Sequence, residues 1–435
     1  MRQDQPTRNQ AHYSLGEILM DDLRSAAREA WIYCVPLIEL ARVRTQIAAL
    51  APQRGGAGIN AFFHRRGLAT PADRGLITPN VDTLYSAAFV DLGNGPVTVA
   101  LPASGERYFS LHLLDMYTNS FAVLGTRTTG GDGGTFMLVG PRDAAPDGVI
   151  RAPTSWILAL ARISVDDADV LNAIHKIQDE VVLKPTPARV VGSFANRESA
   201  WAEYFSSASA LLAESPPPAT DLAVLRRIAP LGLGPSHRFD AAQFTTVETQ
   251  EIEKGVVDAK SILVGGDWGK PLNGWMYPGA DLGDFEQNYL YRARMAVVAL
   301  GALPRQEAMY MPAVAPDGTT SFSEGEWRLN FPRGQLPPVD AFWSLTMYEA
   351  APEGQSLLSE NPLHRYAIGD RTKGLRHNAD GSLDIWIARQ DPGGVKTANW
   401  LPAPESGPYR LIMRTYLPKQ ELLAGTYLLP PLMPA

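Results

Sequence analysis

The sequence predicts a mainly β protein with α segments: two antiparallel β-sandwich domains of jelly-roll type, an N-terminal helix and a helical connecting region. Three observations point there. Glycine (38) and proline (35) are abundant in the 435 residues, proline standing above the usual ~5%. Short runs rich in β-branched and aromatic residues, punctuated by turn residues, fill two separate stretches of the chain. Between them, apolar residues recur at helical spacing. At roughly 100 to 200 residues per domain, a chain of this length holds two or three domains, each able to bury a core.

Residues 1–60 read as an N-terminal helical segment. Ile18, Leu19, Leu23, Ala27, Ala30, Trp31 and Cys34 lie at helical spacing, Ser14 and Glu17 can form a capping box, and Pro36 is expected to break or kink the helix. Residues 61–190 read as the first β-sandwich, with strands expected at 84–92, 96–102, 107–125, 135–141 and 155–163. The glycine-rich TTGGDGG at 128–134 reads as a flexible hairpin turn, because it lacks the Lys and Ser/Thr of a phosphate loop. Helical periodicity runs from about Asp166 to Arg305, and residues 191–308 form the helical connecting region, punctuated by Ser215 and three prolines. Within it, residues 265–279 are too irregular for a strand or helix and read as a lid or a packed Ω-loop. Residues 309–435 read as the second β-sandwich, with strands at 326–332, 341–349, 364–370, 383–390 and 407–418. No short internal repeat is visible.

These segments carry a family resemblance. Residues 78–130, from TPNVDTLY to GTRTTG, resemble the signature of the family called domain of unknown function 1254. Residues 329–394, followed by NWLPAP and GPYRLIMRTYLP, are similar to its usual C-terminal companion, domain of unknown function 1214. The match spans most of residues 16–190 and 309–430. It implies two jelly-roll-like sandwiches joined by helical segments and a homo-oligomer, dimer or tetramer, and it implies no particular chemistry. Relatives tend to read Tyr-Gly-Tyr-Pro in the first helix where this chain has Tyr33, Cys34, Val35 and Pro36, so a pocket lined there by Trp31 and Tyr33 as substrate contacts would be differently shaped. Many relatives carry an export signal; the N-terminal residues here have no apolar core of that type, so a cytoplasmic location is expected.

Composition excludes several partner classes. A net charge of -7 and a pI of about 5.6 provide no general basic surface for nucleic acid. No run of about 18 apolar residues occurs, so no membrane partner is expected. A single cysteine, Cys34, forbids an intrachain disulfide and a thiolate cluster. The seven histidines are scattered with no i, i+4 or i, i+2 pair, so no metal is expected, and no dinucleotide fingerprint calls for a redox cofactor.

The candidate site lies in the first β domain. Asn80, Asp82 and Tyr85 open a strand, either as an Asx turn or as the rim of a pocket. In the strand that follows, period two sets Tyr108, Ser110 and His112 on one face and Phe109, Leu111, Leu113, Asp115 and Tyr117 on the other, so His112 and Asp115 cannot pair directly. His112 is either a hydrogen-bonded structural histidine or a general base. Arg127 pairs with Asp82 or Asp115, or holds a substrate anion. The expected constellation is His112, Asp82, Tyr85 and Arg127 as catalytic residues, with Tyr108, Asp115, Tyr117, Asn119, Trp31 and Tyr33 contacting substrate. In the second β domain, Trp343, Leu345 and Met347 read as core, while Asp340 and Tyr348 face solvent, a neighbouring subunit or a ligand. Two functions follow: an enzyme of hydrolase, lyase or isomerase type acting on a small molecule without a redox cofactor, or a non-catalytic ligand-binding or oligomeric structural protein.

Overall fold

Alternation of side chains along the strands decides which face of each sheet is buried, and two sandwich cores follow from it. A computed structural model describes residues 15–75, 78–144, 146–166, 170–184, 187–265, 269–351 and 354–435, with side chains from residue 22 onward. The chain begins with α1 (Leu15–Leu50), β1 (Phe63–His64), β2 (Thr83–Asp91), β3 (Val97–Leu101), β4 (Phe109–Leu114) and β5 (Ser120–Gly125). It continues with β6 (Gly134–Val139), β7 (Ile150–Arg151), β8 (Trp156–Ser164), α2 (Leu171–Glu180) and β9 (Val182–Lys184). Then come α3 (Trp201–Glu214), α4 (Leu222–Ile228), α5 (Thr246–Val264), β10 (Gly269–Leu272), β11 (Trp275–Pro278) and α6 (Tyr289–Val298). The last part comprises β12 (Ala308–Pro312), β13 (Trp327–Phe331), β14 (Val339–Ala350), β15 (Ser356–Leu357), β16 (Ala367–Gly369) and β17 (Leu383–Ala388). It ends with β18 (Trp400–Pro402), β19 (Tyr409–Pro418), α7 (Gln420–Leu423) and β20 (Leu432–Pro434).

The chain divides into two compact units. One comprises residues up to Arg42 and Ser193–Gly266 and is helical. Its buried residues include Ala27, Trp31, Leu37 and Ile38 of α1, Tyr204, Phe205 and Leu211 of α3, and Ile252 and Ala259 of α5. Thr245 and Glu248 close a capping box at the start of α5, satisfying two backbone N–H groups that a helix end leaves open. α1 is continuous through Pro36, so of the expected break or kink the break does not occur. The capping pair expected at Ser14 and Glu17 lies outside the described side chains. Among the described residues no helix is long and apolar enough to cross a membrane.

The other unit, Val43–Gly192 and Asp267–Ala435, holds both sandwiches. In the first, a sheet of order β1-β2-β8-β4-β5 packs on one of order β7-β6-β3-β9. Leu84, Ala88 and Val90 of β2, Leu111 and Leu113 of β4, and Ile157, Ala159 and Ile163 of β8 meet Val97 and Val99 of β3 in one core. In the second, β12-β19-β14-β15, with β16 also on β14, packs on β18-β17-β13-β20. Its core joins Met309, Met311, Trp343, Leu345, Met347 and Met413 to Leu329, Phe331, Ile385 and Ile387. Residues 269–278, expected to be irregular, form the β10–β11 hairpin, whose Trp275 belongs to this core and donates its indole N–H to the Pro430 carbonyl.

The two sandwiches are wound alike. β2, β3, β4, β6, β7, β8 and β9 of the first hold the places of β12, β13, β14, β17, β18, β19 and β20 in the second. Even the parallel pairs correspond, β6 with β7 and β17 with β18. The repeat is of whole sandwiches and not a short one: it resides in strand order and in a few residues separated by insertions, where a contiguous string comparison does not see it.

One element of the repeat is a glycine. A Cβ on Gly125 would stand 2.2 Å from the Phe109 carbonyl oxygen, and on Gly369 2.1 Å from that of Trp343, so both turns need the bare backbone. In each turn the following side chain, Thr126 or Asp370, accepts the backbone N–H of Phe109 or Trp343. Gly369→Ala is therefore expected to lower unfolding stability by about 1–3 kcal/mol through overpacking. Gly67→Ala, with no atom within 4 Å of its new Cβ, should stay within about 0.5 kcal/mol of wild type. Urea unfolding midpoints decide it, and equal midpoints for the two variants would refute this account of the turn.

Candidate functional site

The outer faces of the two five-stranded sheets carry the polar groups that the cores exclude. On the first sandwich, cross-strand register sets Tyr85 of β2, Arg162 of β8 and Ser110 of β4 in one row. On the second, it sets Tyr310 of β12, Arg414 of β19 and Ser344 of β14 in one row. Each row is thus Tyr–Arg–Ser on corresponding strands. Asp82 precedes Tyr85 by the same interval as Glu307 precedes Tyr310, and Pro79 and Pro304 begin the two segments. The turns after Gly125 and Gly369 carry Arg127 and Arg371 in GTRTTG and GDRTKG. Each sandwich therefore presents one cradle built from an acid, a tyrosine, a serine and two arginines.

The acids cross between the cradles. Asp82 accepts from Ser344 Oγ at 2.6 Å and from Arg371 Nη2 at 2.9 Å, both from the second sandwich. Glu307 accepts from Arg127 Nε at 2.6 Å and from Tyr108 OH at 3.0 Å, both from the first. Tyr108, Phe342 and Tyr416 pack with Leu303 and Ala308 around this exchange, and the Phe342 and Tyr416 rings stack with centroids 4.2 Å apart. The Arg371 guanidinium lies 3.5 Å from the Phe342 ring centroid, a cation–π contact that helps a partly buried charge.

The two central arginines differ. Arg414 donates from Nη1 to Thr346 Oγ1 at 2.6 Å and from Nη2 to Tyr348 OH. Tyr348 in turn donates to the Pro79 carbonyl at 2.6 Å. Arg162 donates from Nη2 to the Gly301 carbonyl at 2.6 Å; the Tyr85 phenol engages its charge loosely, and its Nε and Nη1, though buried, have no acceptor in good hydrogen-bond geometry among the described residues. Arg162 is 4% exposed. His112, one residue pair along the same face, holds Nε2 at 2.6 Å from Ser120 Oγ while its buried Nδ1 has no partner. Burial, then the Arg162 charge, pushes the His112 pKa well below its ordinary value, so the ring is neutral.

Tyr85 lies under Arg162, whose Cζ is 5.1 Å from the ring centroid. Its hydroxyl oxygen accepts from Asn80 Nδ2 at 3.3 Å, and the same amide donates to Tyr416 OH at 2.7 Å. Burial pushes the Tyr85 phenol up, but the charges of Arg162 and Arg414 and the hydrogen bonds outweigh it and hold the pKa below the usual phenol value. Tyr310, 3.1 Å from Tyr416 through the hydroxyls, is instead pushed up to about 12, chiefly by burial. Tyr85, Tyr310, Ala87 and Leu160 all keep partial exposure within this otherwise buried layer.

Of the residues expected in the site, Asp82, Tyr85, His112 and Tyr108 come together on this layer. Arg127 pairs with Glu307 rather than with Asp82 or Asp115, because its turn reaches the second sandwich. Asp115 serves the turn after β4, accepting from the backbone N–H groups of Tyr117 and Asn119 and from the Asn119 amide. Asn119 also accepts from Phe285 N, and Tyr117 is buried under Arg292. Trp31 and Tyr33 belong to the helical unit, where Trp31 stacks on Tyr204 and Tyr33 donates to Asp221. The layer that holds these first-domain residues also draws Glu307, Tyr310, Ser344, Arg371, Arg414 and Tyr416 from the second domain. The available sign was an arginine set within an apolar strand, as in SWILALARIS and YRLIMRTYLP; such a residue is buried at high cost unless it has a task. No group of three His, Cys, Asp or Glu able to hold a metal occurs among the described residues. An open groove on the second sandwich, lined by Glu349, Glu360, Glu405 and Arg410 among others, contains no fully buried charged side chain.

Two outcomes follow from these contacts. Asp82→Ala should cost about 2–3 kcal/mol in urea unfolding, below the ~3–5 kcal/mol of breaking a fully buried pair, since Arg371 keeps some solvent. Asp115, pushed up to about 6 chiefly by burial, binds its proton more tightly folded than unfolded. Its stabilising contribution is present below about pH 4 and is lost as pH rises through about 6. The melting temperature of wild type relative to Asp115→Asn should therefore fall across that window, and a constant difference would contradict the assignment.

Family models match the chain in two places: protein of unknown function (DUF1254) over residues 59–185 and protein of unknown function (DUF1214) over residues 307–420. Among curated proteins, none matches. Among solved structures, the chain is similar to the VPA0106 protein from Vibrio parahaemolyticus, at 22% identity over 95% of this chain and 100% of that one, with a TM-score of 0.69. That likeness supports the fold. An uncharacterized protein from Burkholderia cenocepacia matches at 14% identity over 93% of this chain and 94% of that one, with a TM-score of 0.41. The first family match contains the Asp82–Tyr85–Ser110–Arg162 cradle and the second the Glu307–Tyr310–Ser344–Arg414 cradle, and the chain belongs to the two-domain DUF1254/DUF1214 family.

Proposed function

We propose that the protein is an acid–base enzyme, of hydrolase, lyase or isomerase type, acting on a small organic anion at the layer between the two sandwiches. The observation that carries this reading is Arg162: a buried guanidinium that, among the described residues, has two nitrogens with no acceptor in hydrogen-bond geometry and makes no ion pair, its charge being offset mainly by the Tyr85 phenol. An anion docked there supplies the acceptors and the counter-charge together, which is the strongest class of hydrogen bond available to it. Tyr85 stands beside that seat with its oxygen accepting from Asn80, so its own proton is available for transfer. The neighbouring guanidiniums stabilise the phenolate, so one residue can take a proton from the substrate and return it. His112 contributes a neutral ring nitrogen at the edge of the seat. Asp82, Glu307, Arg127 and Arg371 keep the two sandwiches in register and leave the chemistry to Tyr85.

The experiment is native mass spectrometry of the protein taken from cells, followed by thermal melting with the retained molecule. Wild type is expected to carry and be stabilised by a small anion; Arg162→Gln should lose that stabilisation. Tyr85→Phe should keep binding and lose turnover by about 100-fold or more. In ultraviolet titration, one tyrosine should ionise below the ordinary phenol range in wild type and move up in Arg162→Gln. An Arg162→Gln protein that binds the same anion equally well would overturn the reading.

A further inference from the structure

The two cradles are one design in two states, and comparing them residue by residue shows what opens the anion seat. Along β4 and β14, His112 occupies the place of Thr346 and Leu114 that of Tyr348, as register fixes: His112 is opposite Leu160 and Leu114 opposite Leu158, while Thr346 is opposite Ile412 and Tyr348 opposite Arg410. In the second cradle, the Thr346 and Tyr348 hydroxyls receive both terminal nitrogens of Arg414. Tyr348 and Ile412 also pack with Leu358 and Ala69, so that cradle is filled. In the first, neither a hydroxyl at 112 nor one at 114 is present, and among the described residues Arg162 Nε, Arg162 Nη1 and His112 Nδ1 have no partner in good hydrogen-bond geometry, the Tyr85 phenol engaging the Arg162 charge only loosely. The row beside Arg162, running Ala87, Leu160, His112 and Val123 across four strands, is otherwise apolar, and Ala87, Leu160 and Val123 are partly exposed where Ile412 is buried.

We propose that His112 and Leu114, standing where the closed cradle has Thr346 and Tyr348, are the residues that open Arg162 to ligand, and that the ligand is a carboxylate carried on an apolar body. The proposal rests on the reading of Arg162 as the anion seat and adds the ligand class and its determinants. The carboxylate meets Arg162, with the Nδ1–H of His112 as a further donor in the tautomer that accepts from Ser120 at Nε2. The apolar body lies along Ala87, Leu160 and Val123, where its burial displaces water from apolar surface. A free phosphate satisfies the arginine but leaves that row wet.

The test uses the full chain with benzoate, acetate and inorganic phosphate as probes, read by calorimetric titration and thermal melting. Wild type is expected to bind benzoate most tightly. His112→Thr and the double variant His112→Thr/Leu114→Tyr convert the open cradle toward the closed one and should weaken benzoate about tenfold or more, the loss of a charge-assisted hydrogen bond. The single variant adds no volume, so it keeps the test decisive even if the double variant fails to fold. Benzoate binding unchanged in His112→Thr would overturn the role given to His112 and Leu114. Phosphate binding as tight as benzoate would overturn the ligand class. If wild type binds none of the three while Arg162→Gln is indistinguishable from it, the anion seat itself falls, and the inference with it.

Discussion

Arg162 and Arg414 each sit at the centre of a sheet face, on β8 and β19, where moving a guanidinium out of water costs several kcal/mol unless its donors are matched. Among the described residues neither makes an ion pair; the carboxylates of the layer, Asp82 and Glu307, are held by Arg371 and Arg127 instead. The layer between the sandwiches therefore carries an excess of positive charge, moderated by hydroxyls, carbonyls and phenols and, at Arg414, also by the charge of Asp82. For Arg414 the moderation reaches both terminal nitrogens, taken by Thr346 and Tyr348, and among the described residues leaves its Nε alone without an acceptor. For Arg162 it does not. The rest of the structure, down to the depressed pKa of Tyr85 and the neutral His112, depends on that unbalanced charge.

The crossed acids explain why two sandwiches are needed for one site. Asp82 leaves its own cradle to accept from Ser344 and Arg371, and Glu307 leaves its own to accept from Arg127 and Tyr108. Each domain supplies the counter-charge for the other's turn arginine, so a sandwich alone would expose one carboxylate and one arginine without partners. The exchange also fixes register. Moving one sandwich along the other would separate both pairs together, and a one-residue slip of β2 or β12 would turn Tyr85 or Tyr310 into a core. A reciprocal contact of this kind is what a duplicated domain produces when its two copies pack through the same face.

How much of this was legible in the sequence differs by element. The two β regions, the α1 pattern and the inward set Trp343, Leu345 and Met347 follow from periodicity, because burial on one face imposes a period of two or 3.6 whatever the partner. The polar face of β4 was legible for the same reason. What could not be read was partnership. Arg127 stands nearer in sequence to Asp115 than to Glu307, yet the chain returns Glu307 to it after a long excursion. The hairpin at 269–278 was hidden because glycine, proline and tryptophan obscure the alternation, and its strands are fixed by packing of Trp275 rather than by propensity. The duplication escaped because its identities are single residues, Tyr85 and Tyr310 or Arg162 and Arg414, spaced by insertions of unequal length; only the topology brings them into correspondence. Trp31 and Tyr33 are expected at a pocket because the family resemblance draws attention to that stretch of the first helix, and their partners Tyr204 and Asp221 lie far along the chain.

The placement of the acids also bears on which phenol of the layer is held below the usual value. Burial raises every phenol of the layer, and Tyr108, Tyr348 and Tyr416 are raised further by a carboxylate, Glu307 for the first and Asp82 for the others. Tyr310 has Tyr85 as its unfavourable neighbour and rises too. Tyr85 alone among these five is held below the usual phenol value, by Arg162 from its own sheet and Arg414 from the facing one; Tyr348 also has Arg414 beside it, but burial and the Asp82 charge leave it raised. Crossing the acids to hold the sandwiches together therefore does a second thing: it directs the carboxylate charges at Tyr108, Tyr348 and Tyr416 and leaves Tyr85 to the guanidiniums, which is the condition that the proposed proton transfer at Tyr85 requires.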